Sequence, residues 1–171
     1  MMQEADRYYK DGVARILALL KDTFGDQFKS YFNGQPEDIA DAQLPCIMVS
    51  ETTGAVESDA TGLDLITETV VIILALNRKD DIGADESTDL TEFKLRKLVK
   101  GQYPEGHASQ GQYLPETVMY AIRKNITMEN AVLQSNITTD FDIIQRGEDT
   151  YTQEAYVTVT LQRLAAVPSR G

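Results

Sequence analysis

The sequence predicts an α+β fold: a mostly antiparallel, mixed β-sheet with helices packed on one of its faces. Three observations carry this. An amphipathic helical pattern opens the chain, long strand patterns occupy residues 46–76 and 136–163, and the two helical patterns between them are short. Elements with one apolar stripe or face bury it by stacking in layers, and this order of elements sets helices against one side of a sheet. At 171 residues the chain has the length of a single domain (1–171) with a sizeable core.

The first helix is expected from about Asp6 to Phe24. Tyr9, Val13, Ile16, Leu17, Leu20 and Phe24 recur at three- and four-residue spacing, and Gly25 suits a left-handed stop. "FNGQPEDIADAQLP" (32–45) reads as loop, because Pro36 and Pro45 interrupt regular structure. "CIMVSE" (46–51) is a short strand that leaves the core at Ser50. The small, acidic stretch that follows is expected to be a flexible tip or extended loop. Flexible loops are placed at about 30–44, 52–61, 77–88 and 101–114, with a tail at 165–171.

The next strand, "GLDLITETVVIILAL" (62–76), changes character halfway: Val70–Leu76 is seven apolar residues in a row, whereas the first half mixes apolar with polar. Strands average about five or six residues. A strand this long is expected to be buried on both faces at one end and to leave the core at the other. The outlying residues Leu63, Leu65, Ile66, Thr67, Glu68 and Thr69 would form an inter-subunit β-arm. Unpaired strand edges invite aggregation, and a closed ring of identical subunits removes them. On this reading Glu68→Lys leaves the subunit folded and disturbs assembly.

Residues 77–89 are a surface loop whose acids lack the spacing of a calcium loop. Asp89 with Glu92 resembles a capping box opening a helix at about Leu90–Lys100, with Phe93, Leu98 and Val99 inward. Lys94, Arg96, Lys97 and Lys100 form the one dense basic cluster. They suit the helix dipole and offer a docking patch to an acidic neighbour. The Gly- and Gln-rich stretch 101–115 is loop and contains the only histidine, His107. Pro115 suits a first helical position for a short helix with Val118, Ile122 and Ile126 inward. "NITTDFDIIQ" and "TYTQEAYVTVTLQRL" flank the turn "RGED" as an antiparallel hairpin. Tyr151, Ala155, Val157, Val159 and Leu161 share one side of its second strand, and Thr152, Glu154, Thr158, Thr160 and Gln162 the other.

The formal net charge is −11, and residues 30–77 hold eight acids and no base. Such a stretch cannot grip phosphate, since nucleic-acid affinity comes mainly from basic side chains. The stretch reads either as a solvated acidic surface or, with Glu51, Glu57, Asp59, Asp64 and Glu68, as a surface that stays near DNA without binding it. The single cysteine, Cys46, excludes an internal disulfide and reads as a small core hydrophobe. No nucleophile elbow, phosphate loop or zinc spacing is present, so no catalytic residue, cofactor or metal is assigned. Carboxylates are abundant enough to leave a small carboxylate-based enzyme or ligand-binding domain as an alternative. No apolar run approaches the roughly 18 residues of a membrane span, and the opening lacks the pattern of a secretory signal. A cytoplasmic origin is expected.

The order of elements resembles a known family. An amphipathic N-terminal helix precedes an "LP-x-I-x-V" strand (Leu44, Pro45, Ile47, Val49), then an acidic loop and a long "T-x-x-V-x-I-x-L" strand (Thr67, Val70, Ile72, Leu74). A central helix and a hairpin ending "YVTVTLQ" follow. This is similar to the tail terminator, or tail-completion, proteins of long-tailed bacteriophages, over about residues 5–165. The resemblance implies a homohexameric ring that caps the tail tube, stops its growth and meets the neck or head-completion proteins, with DNA passing through the lumen. It places the protein in the virion's tail–neck region, assembled in the host cytoplasm. Partners would be the tube protein, connector proteins and a sheath or collar. Another head–tail joining protein of the neck is the nearest alternative. The additions at 77–89 and 101–115 depart from compact members.

Overall fold

The computed structural model describes residues 10–58, 61–128, 131–134 and 136–168. It is a mixed α+β structure built on a seven-stranded, mostly antiparallel open sheet. The strands are β1 (Ser30–Asn33), β2 (Cys46–Ser58), β3 (Leu63–Asn77), β4 (Thr127–Met128), β5 (Ala131–Leu133), β6 (Thr138–Gln145) and β7 (Tyr151–Ala166). Among the described residues their order is β1-β2-β3-β7-β5-β4, with β6 also on β7, and only β1 and β2 run parallel. The helices are α1 (Gly12–Phe24), α2 (Thr91–Lys100) and α3 (Val118–Lys124).

The apolar run of β3 divides between two cores on opposite sides of the sheet. Successive strand residues point to opposite faces. Val70, Ile72, Leu74 and Leu76 face Val13, Ile16, Leu20, Leu95, Val99, Val118 and Ile122 of the three helices. Val71, Ile73 and Ala75 face a smaller core with Cys46, Met48, Ile39 and Leu44. The loop 34–45 therefore covers the second face, and no neighbouring subunit is needed to bury that half of the strand. Its cover is anchored by Ile39 N–H donating to Arg146 O at 2.7 Å.

Several boundaries differ from the sequence reading. Helix α1 starts at Gly12, where Asp11 accepts from Ala14 N–H at 2.9 Å; the expected residues 6–9 lie outside the described residues. Gly25 ends it at the expected position with a positive φ of 51°, but its ψ of −124° lies outside the expected left-handed helical region. The short strand expected at 46–51 continues to Ser58, so most of the stretch read as a flexible tip is strand. A bulge between Glu51 and Thr53 lets it continue, because the extra residue bends and twists the ribbon. Strand β1, inside the expected loop, and the short β4 and β5 went unread.

Helix α2 is not capped by Asp89. Asp81 reaches across instead, accepting from Thr91 N–H and Thr91 Oγ1–H at 2.8 Å each. Leu95 and Val99 are its buried apolar residues, and Phe93, expected inward, is exposed. Pro115 lies ahead of α3, which starts at Val118 with Thr117 accepting from Tyr120 N–H; Ile126 is exposed. The 101–115 loop has an order of its own: Gln102 bridges Tyr113, and His107 stacks on Tyr103 at 4.3 Å.

Strand β3 is interior to the sheet. Antiparallel pairing with β7 runs from Leu63↔Ala166 to Asn77↔Thr152, and pairing with β2 from Ser58↔Asp64 to Cys46↔Ala75. The backbone of its outer half is thus satisfied within one subunit, which corrects the picture of a strand whose edges wait for a neighbour. What extends past the two cores is a three-stranded ribbon of β2, β3 and β7.

Candidate functional site

Two surfaces carry features that the packing of the subunit leaves unused. The first is the ribbon end. All eight residues from Glu51 to Ser58 are exposed. Beyond Val49, no strand among the described residues pairs with the outer edge of β2. Directly paired residues share a sheet face, so the register puts Glu57, Leu65 and Leu164 together on the face turned away from the helices, beside Leu63 and Ala166. The loop 34–45 does not reach this far. Leu164 is 52% exposed, and Val132, paired with Gln162, is 51% exposed. Thr67 and Thr69 lie on the same face, within hydrogen-bond reach of Gln162 and Thr160 at 3.4 Å each.

The helix side of the ribbon end differs. Here Ile66 and Glu68 point towards the start of α1. Glu68, read above as an exposed member of both the β-arm and the acidic surface, is 3% exposed. It pairs with Arg163 and accepts from Gly12 N–H at 3.0 Å. A Cβ on Gly12 would lie 2.6 Å from Leu161 Cδ2 and 2.8 Å from Glu68 Oε2, so a larger residue here would have to displace one of these side chains. The pair exists because a carboxylate taken out of water needs a cation and donors beside it. Glu51 is exposed near it, and its carboxyl is held above the usual range, by partial burial first and by the Glu68 and Asp11 charges second. The five acids read as one surface are therefore divided. Glu51 and Asp64 lie on the helix side, Glu57 on the opposite side, Glu68 inside, and Asp59 outside the described residues.

The second surface is α2. Lys94, Arg96, Lys97 and Lys100 are all exposed, as the helical spacing predicts. Arg96 sits 5.6 Å from the Phe93 ring and 3.9 Å from Glu92; Lys100 lies 5.9 Å from the Phe141 ring. Lys94 and Lys97 border a cleft of about 540 Å³ whose apolar wall is Leu76, Leu98, Leu114 and Pro115, with Gln27 and Glu116 at its rim. A shallower hollow on the other side of Lys97 is bordered by Phe93, Arg96 and Lys100. An apolar floor beside two ammonium groups suits an apolar group that carries a carboxylate.

The buried carboxylates do not form a catalytic pair. Glu154, expected on a polar face, is wholly buried under the second core. It receives Arg146 Nε–H at 2.7 Å, Arg146 Nη2–H at 2.6 Å, the Tyr156 hydroxyl at 2.7 Å and the Thr152 hydroxyl. Burial and this carboxylate drive the Tyr156 phenol far up. Every acceptor position is filled by the chain itself. Glu68 and Glu154 lie on opposite faces; by strand register, where Glu154 is level with Ala75, they are about 23 Å apart at roughly 3.3 Å per residue. Paired catalytic carboxylates stand about 5–10 Å apart. Cys46 is buried, and burial pushes its thiol up to about 12. His107 Nδ1 accepts from Ser109 N–H at 3.0 Å within its own loop. Among the described residues no three metal-ligating side chains are grouped, and no helix is long and apolar enough to cross a membrane. The sequence matches no protein-family model and no curated protein.

Proposed function

We propose that this chain is the subunit of a homohexameric ring that works as a phage tail terminator, capping the tail tube, stopping its growth and presenting a surface to the neck. The observation that carries the reading is the ribbon end. A 13-residue β2 keeps an open edge over its outer half, and the same end of the sheet carries exposed Leu164 and Val132 with half-buried Leu65. A lone subunit gains nothing by holding such a surface in water, and a closed assembly buries it. The acidic balance supports the same reading, because a chain of net charge −11 repels a passing duplex.

Sedimentation equilibrium of the purified full chain, with negative-stain microscopy, tests the ring. Closed six-membered rings are expected; a monomer at every attainable concentration overturns it. The function is tested by removing the gene from its phage. Tails of uncontrolled length identify a terminator, whereas tails of normal length beside tailless heads identify a neck protein.

A further inference from the structure

We infer that the ribbon end of one copy docks in the α2 cleft of the next copy, and that this contact is the repeating joint of the ring. The inference rests on the ring reading and supplies the surface that reading lacks. Pairing the open β2 edge with the same edge of a second copy, antiparallel, is isologous, and such a contact closes at two subunits. A ring of more than two needs two different, complementary surfaces on every subunit.

The fold provides such a pair at opposite ends of β3. Leu65 lies in the outer half, and Leu76 forms part of the cleft wall. They are eleven residues apart, or about 36 Å at roughly 3.3 Å per residue, so the end of a ribbon cannot reach its own cleft and must find another copy's. The chemistry matches. The ribbon end presents Leu65 and Leu164 with Glu57 beside them on one face. The cleft presents apolar walls between Lys94 and Lys97. Leucine side chains fill the apolar floor, and the Glu57 carboxylate meets the two ammonium groups. Because the charged groups lie at the rim, the contact weakens as salt rises.

Charge exchange on the full chain tests this. Glu57→Lys and the double variant Lys94→Glu/Lys97→Glu change exposed positions only, so each keeps the wild-type circular dichroism and unfolding midpoint. Each is expected to weaken association about tenfold or more by sedimentation equilibrium. The chain carrying all three changes is expected to regain it, as is an equimolar mixture of the two variants through their mixed contacts. Rings that ignore both changes overturn the inference and leave the ring reading standing, as do losses that the combined chain fails to repair. A wild-type chain that never associates removes the ring reading and this inference with it.

Discussion

Glu68→Lys is the sharpest single perturbation, because the strand pattern and the packed subunit predict opposite outcomes for it. Read as an exposed arm residue, Glu68 tolerates lysine. In the folded subunit Glu68 is 3% exposed, its carboxylate bound to Arg163, whose side chain is 16% exposed, and to the first amide of α1. Lysine places an ammonium against the guanidinium and removes the acceptor from Gly12 N–H. Removing one partner of a buried ion pair costs about 3–5 kcal/mol, and the lost amide bond to a charged acceptor lies within that figure. Native stability totals about 5–15 kcal/mol, so the variant loses a large fraction of it. For a chain this long, about 2–4 °C of midpoint accompanies each kcal/mol, which places the loss at about 6–20 °C. Thermal unfolding followed by far-ultraviolet circular dichroism measures it. A midpoint within about 2 °C of wild type, a shift worth under about 1 kcal/mol, refutes the buried pair. The reciprocal chain Glu68→Lys/Arg163→Glu recovers part of the loss, since the ion pair returns and the Gly12 amide still lacks its acceptor.

Three further outcomes follow from the second core and the loop that covers it. Arg146→Met leaves the buried Glu154 carboxyl without its cation and held only by two hydroxyls, so the urea midpoint falls by an amount corresponding to about 3–5 kcal/mol; an unchanged midpoint contradicts the clasp. Cys46 is buried with its thiol raised to about 12, so at neutral pH iodoacetamide labels it only as fast as the protein opens, and urea above the midpoint accelerates labelling. Rapid labelling of the native protein would contradict this placement. Asp41 accepts from Lys79 Nζ at 2.6 Å and from Thr150 Oγ1 at 3.1 Å, and the Lys79 hydrogen bond above all holds its carboxyl below the ordinary 3.8. A depressed acid stabilises the fold at pH values above the unfolded value and loses that contribution as pH falls through the folded one. Acid titration of unfolding midpoints in wild type and Asp41→Asn therefore converges at low pH and separates towards neutrality, with wild type the more stable. Separation that grows towards acid would reverse the sign and reject the assignment.

The layers of the fold were legible because they are local. The stripe of Val13, Ile16, Leu17 and Leu20 spells a helix, the alternation of Ala155, Val157, Val159 and Leu161 a strand, and the four bases of α2 an exposed helical face. These depend on residues within a turn or two of one another, so periodicity alone determines them. Tertiary structure decided what covers each face and each charge. The doubly apolar Val70–Leu76 run signals burial on both sides but does not say by what. The cover is Ile39 and Leu44, two apolar residues in a polar, Pro-interrupted stretch that carries no period. The same holds for Glu68 and Arg163, which are 95 residues apart, and for Asp81, which caps a helix beginning ten residues later. A charge reads as surface in a linear sequence; only the β3–β7 register, which sets Arg163 level with Ile66, brings the guanidinium within reach and turns a surface residue into part of the interior.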